Sequence, residues 1–306
     1  MNWKAKAIIV GVIDLLPDNL SYNLYYFLQK RFGELRRFNP IRGLLSGISM
    51  AKRINDCGYK IDDKVFLEIG TGRVPIVPLA LWLCGAQKVY TLDLNPYLKV
   101  ELLQKSIIFI KNNKDTVKEK FGALLDLKRF NELIAIEEDF SLKTFYELTS
   151  IEYLPQVDAR NLEFLHNTID IYISNTVLEH IQGKIIYEIL LESKNVIRGN
   201  GFHLHYIDYH DHFATNDKNI SDINFLQYSE LCWNMIAGNK YMYHNRLRHD
   251  DYLDIFSELS FDIQVLETKK NENILPLLST DFSLNSNFDN KTEEILSIIG
   301  SWIVLK

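Results

Sequence analysis

Cysteine is scarce in this 306-residue sequence: Cys57, Cys84 and Cys232 are far apart and form no C-x-x-C pair. That spacing excludes a disulfide framework and a thiolate zinc site, and it makes a reducing cytoplasm the expected home. A basic excess is also missing. The formal net charge is −6, which argues against general nucleic-acid binding, because phosphate contacts need a basic face. The apolar stretch from Ala7 to Leu16 is interrupted by Gly11 and Asp14. It falls short of the roughly 20 residues a bilayer span needs, and no small-residue cleavage signal follows it. No transmembrane segment is expected, and the stretch reads as a helix packed on the body. No strand pattern precedes residue 64, and the chain contains no internal repeat and no low-complexity tract.

What is present is the composition of a folded protein, 47% hydrophobic and 24% charged, with room for one large domain or two modest ones. The charge is uneven: residues 1–60 hold ten Lys or Arg against four Asp or Glu, so a net of +6 there leaves −12 for the rest. A solvated helical face accounts for this. The sharper reading is a basic cap that attracts an anionic substrate or makes peripheral contact with an anionic membrane.

Up to Tyr59 the pattern is helical, with Leu16-Pro17 as a break and Ser21 as a candidate cap. Lys64 to Ile69 is a short apolar run that stops at Gly70, as a buried parallel strand should. Ile76 to Leu83 reads as a helix ended by Gly85, and Lys88 to Leu92 as the next strand, which completes one βαβ unit. Residues 97–150 are mostly helical and longer than one crossover needs, so part of them is an insertion. Strands are expected at Ile151–Leu154, Ile169–Ser174, Phe202–Ile207, Phe261–Glu267 and Ser301–Leu305. Helices are expected at Lys184–Ile197, closed by Gly199 and Gly201, and near Ser229–Ala237 and Asp250–Leu259. The fold class is therefore α/β, a doubly wound Rossmann-like sheet, with an N-terminal helical cap over 1–60 and a main domain over 61–306 carrying the helical insertion at about 97–150.

The strongest chemical signal is Glu68-Ile69-Gly70-Thr71-Gly72 at a strand end, with Asp93 at the tip of the next strand, 21 residues after Gly72. Glycines there let the backbone turn tightly and approach a ligand, and a carboxylate one strand over can accept both hydroxyls of a ribose. A dinucleotide site uses similar parts but has a third glycine that helps receive a pyrophosphate. Here that position is Pro75, which has no N–H to offer. Glu68 would repel a pyrophosphate, yet it suits an ammonium, directly or through water.

Four segments in order, Glu68 to Gly72, Thr91-Leu92-Asp93, Val157 to Leu162 and Asp170 to His180, resemble successive motifs of class I S-adenosylmethionine-dependent methyltransferases and cover roughly residues 60–210. The resemblance implies a seven-stranded sheet whose last strand is antiparallel. It implies that Glu68, Gly70, Thr71 and Gly72 line the cofactor, that Asp93 holds the ribose and that Leu94 lies against the adenine. Asp158 would accept from the adenine amino group with Ala159 beside it, and Ser174 and Asn175 would sit at the methionine end. The chain departs from the family at Val74, where a third glycine is common.

A second constellation is His203 to Phe213, which holds four of the eight histidines. Ligands in open α/β sheets bind at carboxyl ends of strands, so this segment is placed to meet a methyl acceptor. His205, Asp208, His210 or His212 is the expected base, because imidazole titrates near neutrality and a neighbouring carboxylate orients it. Tyr209 and Asp211 are expected to touch the acceptor. A metal is the competing reading, but no second acidic cluster with matching spacing is visible, and no metal is assigned.

A third segment, Tyr241 to Asp250, offers the forked donors of Arg246 and Arg248 for a carboxylate or phosphate, with tyrosines to stack on a ring. A solvated helix start capped by Asp250 explains the same letters. Asp211-His212-Phe213 together with Asn245-Arg246-Leu247-Arg248 resembles bacterial methyltransferases associated with surface-glycan gene sets. The expected function is methyl transfer from S-adenosylmethionine to a hydroxyl, less readily an amine, of a small molecule or glycan. The alternatives are an NAD-dependent oxidoreductase and a non-catalytic binding protein of the same fold.

Overall fold

The computed structural model describes residues 2–280 and 282–306, with only the backbone described at Glu34. Met1, the first residue of the expected cap, lies outside the described residues. Among the described residues seven strands form: β1 Val65–Ile69, β2 Lys88–Asp93, β3 Ile151–Pro155, β4 Ile169–Asn175, β5 Ile197–Asp208, β6 Ile263–Lys270 and β7 Ile298–Leu305. They build one mixed sheet in the order β3-β2-β1-β4-β5-β7-β6. This is the seven-stranded α/β sheet anticipated above, with β6 and β7 antiparallel.

By its internal contacts the chain divides into two compact units. One comprises Phe38–Asn175 and Glu188–Leu204. In it β1 lies between β2 and β4, parallel to both, with Glu68 beside Thr91 on one side and Ile173 on the other. Apolar residues such as Phe66 and Leu67 are buried because neighbours cover both faces. Every residue of the helix Ile76–Leu83 is buried, and the helix Ile41–Asp56 packs closely on it. A Cβ at Gly47 would come within 2.4 Å of the Ala80 methyl, so only glycine permits that approach. Arg129 donates to the carbonyls of Trp82 and Ala86, 2.7 Å each, and closes the end of that helix. Four helices, Val100–Asn112, Lys114–Phe121, Leu127–Ala135 and Leu142–Thr149, fill the stretch between β2 and β3.

The other unit comprises the chain up to Arg37, Thr176–Tyr187 and His205–Lys306. Helix Trp3–Asp14 starts where the Asn2 side chain accepts from the Lys4 amide. It buries Trp3, Ala7, Val10 and Ile13 at helical spacing, and Trp3 and Ala7 join a core that includes Phe213, Phe225 and Trp233. Its other face leaves Ile8, Ile9 and Val12 exposed.

Three local readings are corrected. Ser21 caps nothing: helix Asp18–Arg31 begins three residues earlier, after Pro17, and the Ser21 hydroxyl reaches back to the Ile13 carbonyl at 2.8 Å. Asp250 is likewise inside its helix, His249–Glu258, and the side chain that closes the first turn is Asp251, on the Arg248 amide at 2.7 Å. The N-terminal helices do not form one cap to residue 60, because Ile41–Asp56 joins the parallel-strand unit through its contact with Ile76–Leu83. Among the described residues no helix is long and apolar enough to cross a membrane.

Candidate functional site

The parallel-strand unit carries the glycine turn. Chain leaves β1 at Ile69 and enters the left-handed region at Gly70 (φ +80°) and Gly72 (φ +66°), where a side chain would strain the backbone. The Gly70 amide donates to the Leu92 carbonyl at 2.8 Å, which folds the turn across the end of β2. There the Gly72 amide donates to Oδ1 of Asp93 at 3.3 Å, and the Tyr153 hydroxyl from β3 donates to Oδ2 at 3.3 Å. Asp93 is thus held from two sides while a Cβ added to Gly72 would meet nothing within 4 Å. Open space beside a glycine turn, next to a fixed carboxylate, fits a nucleoside ribose.

Glu68 is turned inward. It is buried, and the Thr91 hydroxyl donates to it at 2.5 Å. The Thr71 hydroxyl in turn lies 2.5 Å from that of Thr91. A chain of hydroxyls thus runs from Glu68 through Thr91 to Thr71. Burial pushes the Glu68 carboxyl up to about 8, opposed by the Thr91 bond and reinforced by the nearby Asp93 charge. Burial also pushes Asp93 up to about 7, against the lowering effect of the Gly72 amide and the Tyr153 hydroxyl. Thr91 and Tyr153 had no individual role in the sequence reading; each becomes visible only once strand register brings it beside a carboxylate.

The remaining expected cofactor residues lie in the same unit. Leu94 is exposed just past Asp93, and Ala159 is buried. Asp158 is paired with Arg160 through both carboxylate oxygens, at 3.0 and 2.7 Å, so an adenine amino group would share that carboxylate with a guanidinium. The Arg160 bond holds the Asp158 carboxyl below its usual range. Ser174 and Asn175 end β4, the first buried and the second half-buried.

The histidine segment belongs to the other unit, and the structure separates its members. His205 is a core residue, fully buried with its ring stacked on Phe256, and burial drives its pKa down to about 3. It is removed from the candidate bases because it points into the interior. Past the end of β5, Nδ1 of His210 makes a very short contact with Oδ1 of Asp208, and Nε2 of His210 lies 2.9 Å from the Thr215 hydroxyl. Burial works against both charges, yet the mutual bond keeps Asp208 below its usual value and His210 above. Nε2 of His212 lies 3.9 Å from Oδ2 of Asp208.

Two further groups, Glu179 and His180, join this cluster from the short helix Leu178–His180 after β4. Ligand-capable atoms of Glu179, His180 and His212 lie within 4.8 Å of one another, and so do those of Asp208, His210 and His212. The second acidic group sought in the sequence is therefore present, 29 residues before Asp208, where spacing along the chain conceals it. Nδ1 of His180 lies 2.8 Å from the Tyr243 carbonyl.

All four expected acceptor contacts are corrected. Tyr209 is fully buried with its hydroxyl 2.6 Å from that of Ser301. Asp211 is buried and accepts from the Phe213 amide and the Asn224 side chain. Arg246 lies inside, donating to the carbonyls of Phe225 and Tyr228 and to Glu230. Arg248 is fully buried and donates to the carbonyls of Tyr209, Leu296 and Ile298. Long polar side chains look available in a sequence, but here the two arginines donate to backbone carbonyls of the interior.

No family model matches the chain, and no curated protein matches it. Among solved structures it is similar to a SAM-dependent methyltransferase from Methanosarcina mazei, at 13% identity and a TM-score of 0.45, covering 81% of this chain and 94% of that one. A Pyrococcus horikoshii protein aligns at 13% identity and a TM-score of 0.46, covering 84% of this chain and 89% of that one. A geranyl diphosphate methyltransferase solved with SAM aligns at 12% identity and a TM-score of 0.44, covering 85% and 84%. These are distant likenesses of chain path, and the functional reading rests on the residues described above.

Proposed function

We propose that the protein is a class I methyltransferase that moves a methyl group from S-adenosylmethionine to a hydroxyl of a small molecule or glycan. The observation that carries the reading is the clasp between Gly72 and Asp93 at the ends of β1 and β2. A pyrophosphate would meet Pro75, which has no N–H, and the Asp93 carboxylate, so a nicotinamide dinucleotide fits this turn poorly.

When bound, the cofactor supplies an electrophilic methyl on a sulfonium. Asp93 receives the ribose hydroxyls, and the Gly72 amide and Tyr153 hydroxyl hold its two oxygens in place. Leu94 offers its exposed side chain to the adenine face, and the Glu68-Thr91-Thr71 chain braces the turn. Holding two reactants in line is worth about 7–11 kcal/mol, so a rigid turn is itself a catalytic asset. What supports a hydroxyl acceptor is the imidazole of His210 set against Asp208, the pairing a general base uses to take a proton near neutral pH. A peripheral membrane contact through the N-terminal segment is supported by the exposed Ile8, Ile9 and Val12 and by the basic balance of residues 1–60; co-sedimentation with anionic vesicles tests it.

The test of the cofactor is calorimetric titration with S-adenosylhomocysteine, using Asp93→Ala as control. Micromolar binding that falls at least about tenfold in the variant is expected, since a lost charge-assisted contact is worth 1.5–3 kcal/mol. Binding of NADH without binding of S-adenosylhomocysteine would return the site to the oxidoreductases.

A further inference from the structure

We propose that Glu179, His180 and His212, with Asp208 as a fourth ligand, form a binding site for one divalent transition-metal ion. All four lie within one compact unit, and the inference does not depend on the methyltransferase reading. Three features point to an ion.

The first is convergence. One ligand atom each from Glu179, His180 and His212 fits within 4.8 Å, as does one each from Asp208, His210 and His212. His212 is common to both groups. The second is the state of Glu179. Its carboxylate is fully buried, and neither oxygen makes a hydrogen bond of normal geometry. A carboxylate taken out of water is costly; the nearby backbone amides of Glu179 and Asp208 ease its charge only in part, while burial and the Asp208 carboxylate raise the cost. A dication among these side chains removes both penalties together.

The third feature is the way the ligands are held. A carbonyl can only accept, so the 2.8 Å contact between Nδ1 of His180 and the Tyr243 carbonyl places the proton on Nδ1 and leaves the lone pair on Nε2. His210 occupies Oδ1 of Asp208, which leaves Oδ2 on the side of His212. Asn245 fixes the loop that carries Glu179 and His180. Its amide N–H donates to the Glu179 carbonyl at 2.9 Å, and its side chain donates to Leu178 and Ile181 at 2.9 and 2.8 Å. Ligands oriented by partners of this kind are the mark of a built metal site. Two imidazoles with carboxylates favour Zn²⁺, Mn²⁺ or Fe²⁺ over Mg²⁺ and Ca²⁺, which prefer all-oxygen sets.

The experiment is titration of chelator-treated full-length protein with ZnCl2 and with MnCl2, followed by calorimetry and by thermal melts with and without ion. One ion per chain in the micromolar range or tighter is expected, with a rise in melting temperature. Glu179→Gln and His212→Asn should each weaken binding at least about tenfold. His166→Asn, which alters a surface pair with Glu192 outside the cluster, should bind as the parent does. A wild-type protein that binds neither ion overturns the proposal, and so do Glu179→Gln and His212→Asn proteins that fold and bind like the parent. Should either variant fail to fold, Co²⁺ added to the wild-type protein decides: intensified visible bands from an imidazole and carboxylate shell support the site, and the spectrum of the hydrated ion rejects it.

Discussion

The backbone amide of Gly72 and the carboxylate of Asp93 face each other at 3.3 Å across the ends of two parallel strands. Gly72 holds φ at +66° with nothing within 4 Å of where a Cβ would stand. Gly72→Ala should therefore fold and lose only about 1–2 kcal/mol, the cost of a left-handed backbone for a residue with a side chain. Its affinity for S-adenosylhomocysteine should fall by much more than its stability, because the new methyl would occupy the space assigned to the ligand. Parallel urea melts and calorimetry separate the two effects, and equal losses in both would place the ligand elsewhere.

Stability and affinity should respond to pH in opposite directions. Folding raises Glu68 from 4.5 to about 8 and Asp93 from 3.8 to about 7, mainly through burial. The folded chain keeps protons that the unfolded chain releases. This contribution to stability is complete below about pH 4 and is lost as pH rises through 7 and 8. A ligand whose ribose hydroxyls donate to Asp93 prefers the ionised form. Affinity for S-adenosylhomocysteine should then rise about tenfold from pH 6 to pH 8.5, with proton release visible in buffers of different ionisation enthalpy. A flat affinity profile over that range would count against Asp93 as the ribose acceptor.

Two arginines set the contrast between buried and exposed charge. Arg248 is fully buried and bridges the carbonyls of Tyr209, Leu296 and Ile298 at 2.6, 3.1 and 2.6 Å. A lysine lacks the planar fork needed to reach all three, so Arg248→Lys should cost about 3–5 kcal/mol in denaturant melts. Arg198 pairs with Asp170 at 2.7 Å while 43% exposed, and Arg198→Lys should cost less than about 1 kcal/mol. Similar losses at the two positions would refute the bridging role.

Asn245 is the brace of the loop after β4, with three hydrogen bonds to the carbonyls of Leu178, Glu179 and Ile181. Asn245→Ala keeps the backbone bond and removes the side-chain donor from the Ile181 carbonyl, while the Leu178 carbonyl still accepts from the Ile181 amide, so about 1–3 kcal/mol of stability should be lost. A loss below about 1 kcal/mol would mean that water satisfies the Ile181 carbonyl and that the brace is dispensable.

The strands and the glycine turn were legible because each leaves a local trace. Buried parallel strands are short apolar runs, and a left-handed turn after a strand selects glycine. Asp93 was legible through its fixed interval from Gly72. The acceptor side was not. Arg246, Arg248, Tyr209 and Asp211 carry letters that suit a substrate, but their destinations are interior carbonyls, a hydroxyl and an amide, and no spacing encodes burial. His205 misled for the opposite reason, since an inward position on a strand looks like an outward one until the sheet is covered. Glu179 and His180 stood in view as the end of a motif, and only the approach of His212 and Asp208 gives them a role.

The discontinuous unit has a consequence for how the protein is made. Its first helix, Trp3–Asp14, leaves the ribosome with an apolar stripe of Trp3, Ala7, Val10 and Ile13, yet the core residues it joins include Trp233 and Leu296. At about 5–20 residues per second those partners are translated roughly 10–60 s later. That helix must wait unsheltered through the interval, so the parallel-strand unit, whose last segment ends at Leu204, is finished first. Early exposure of that stripe makes the opening helix the place where a chaperone would find this chain.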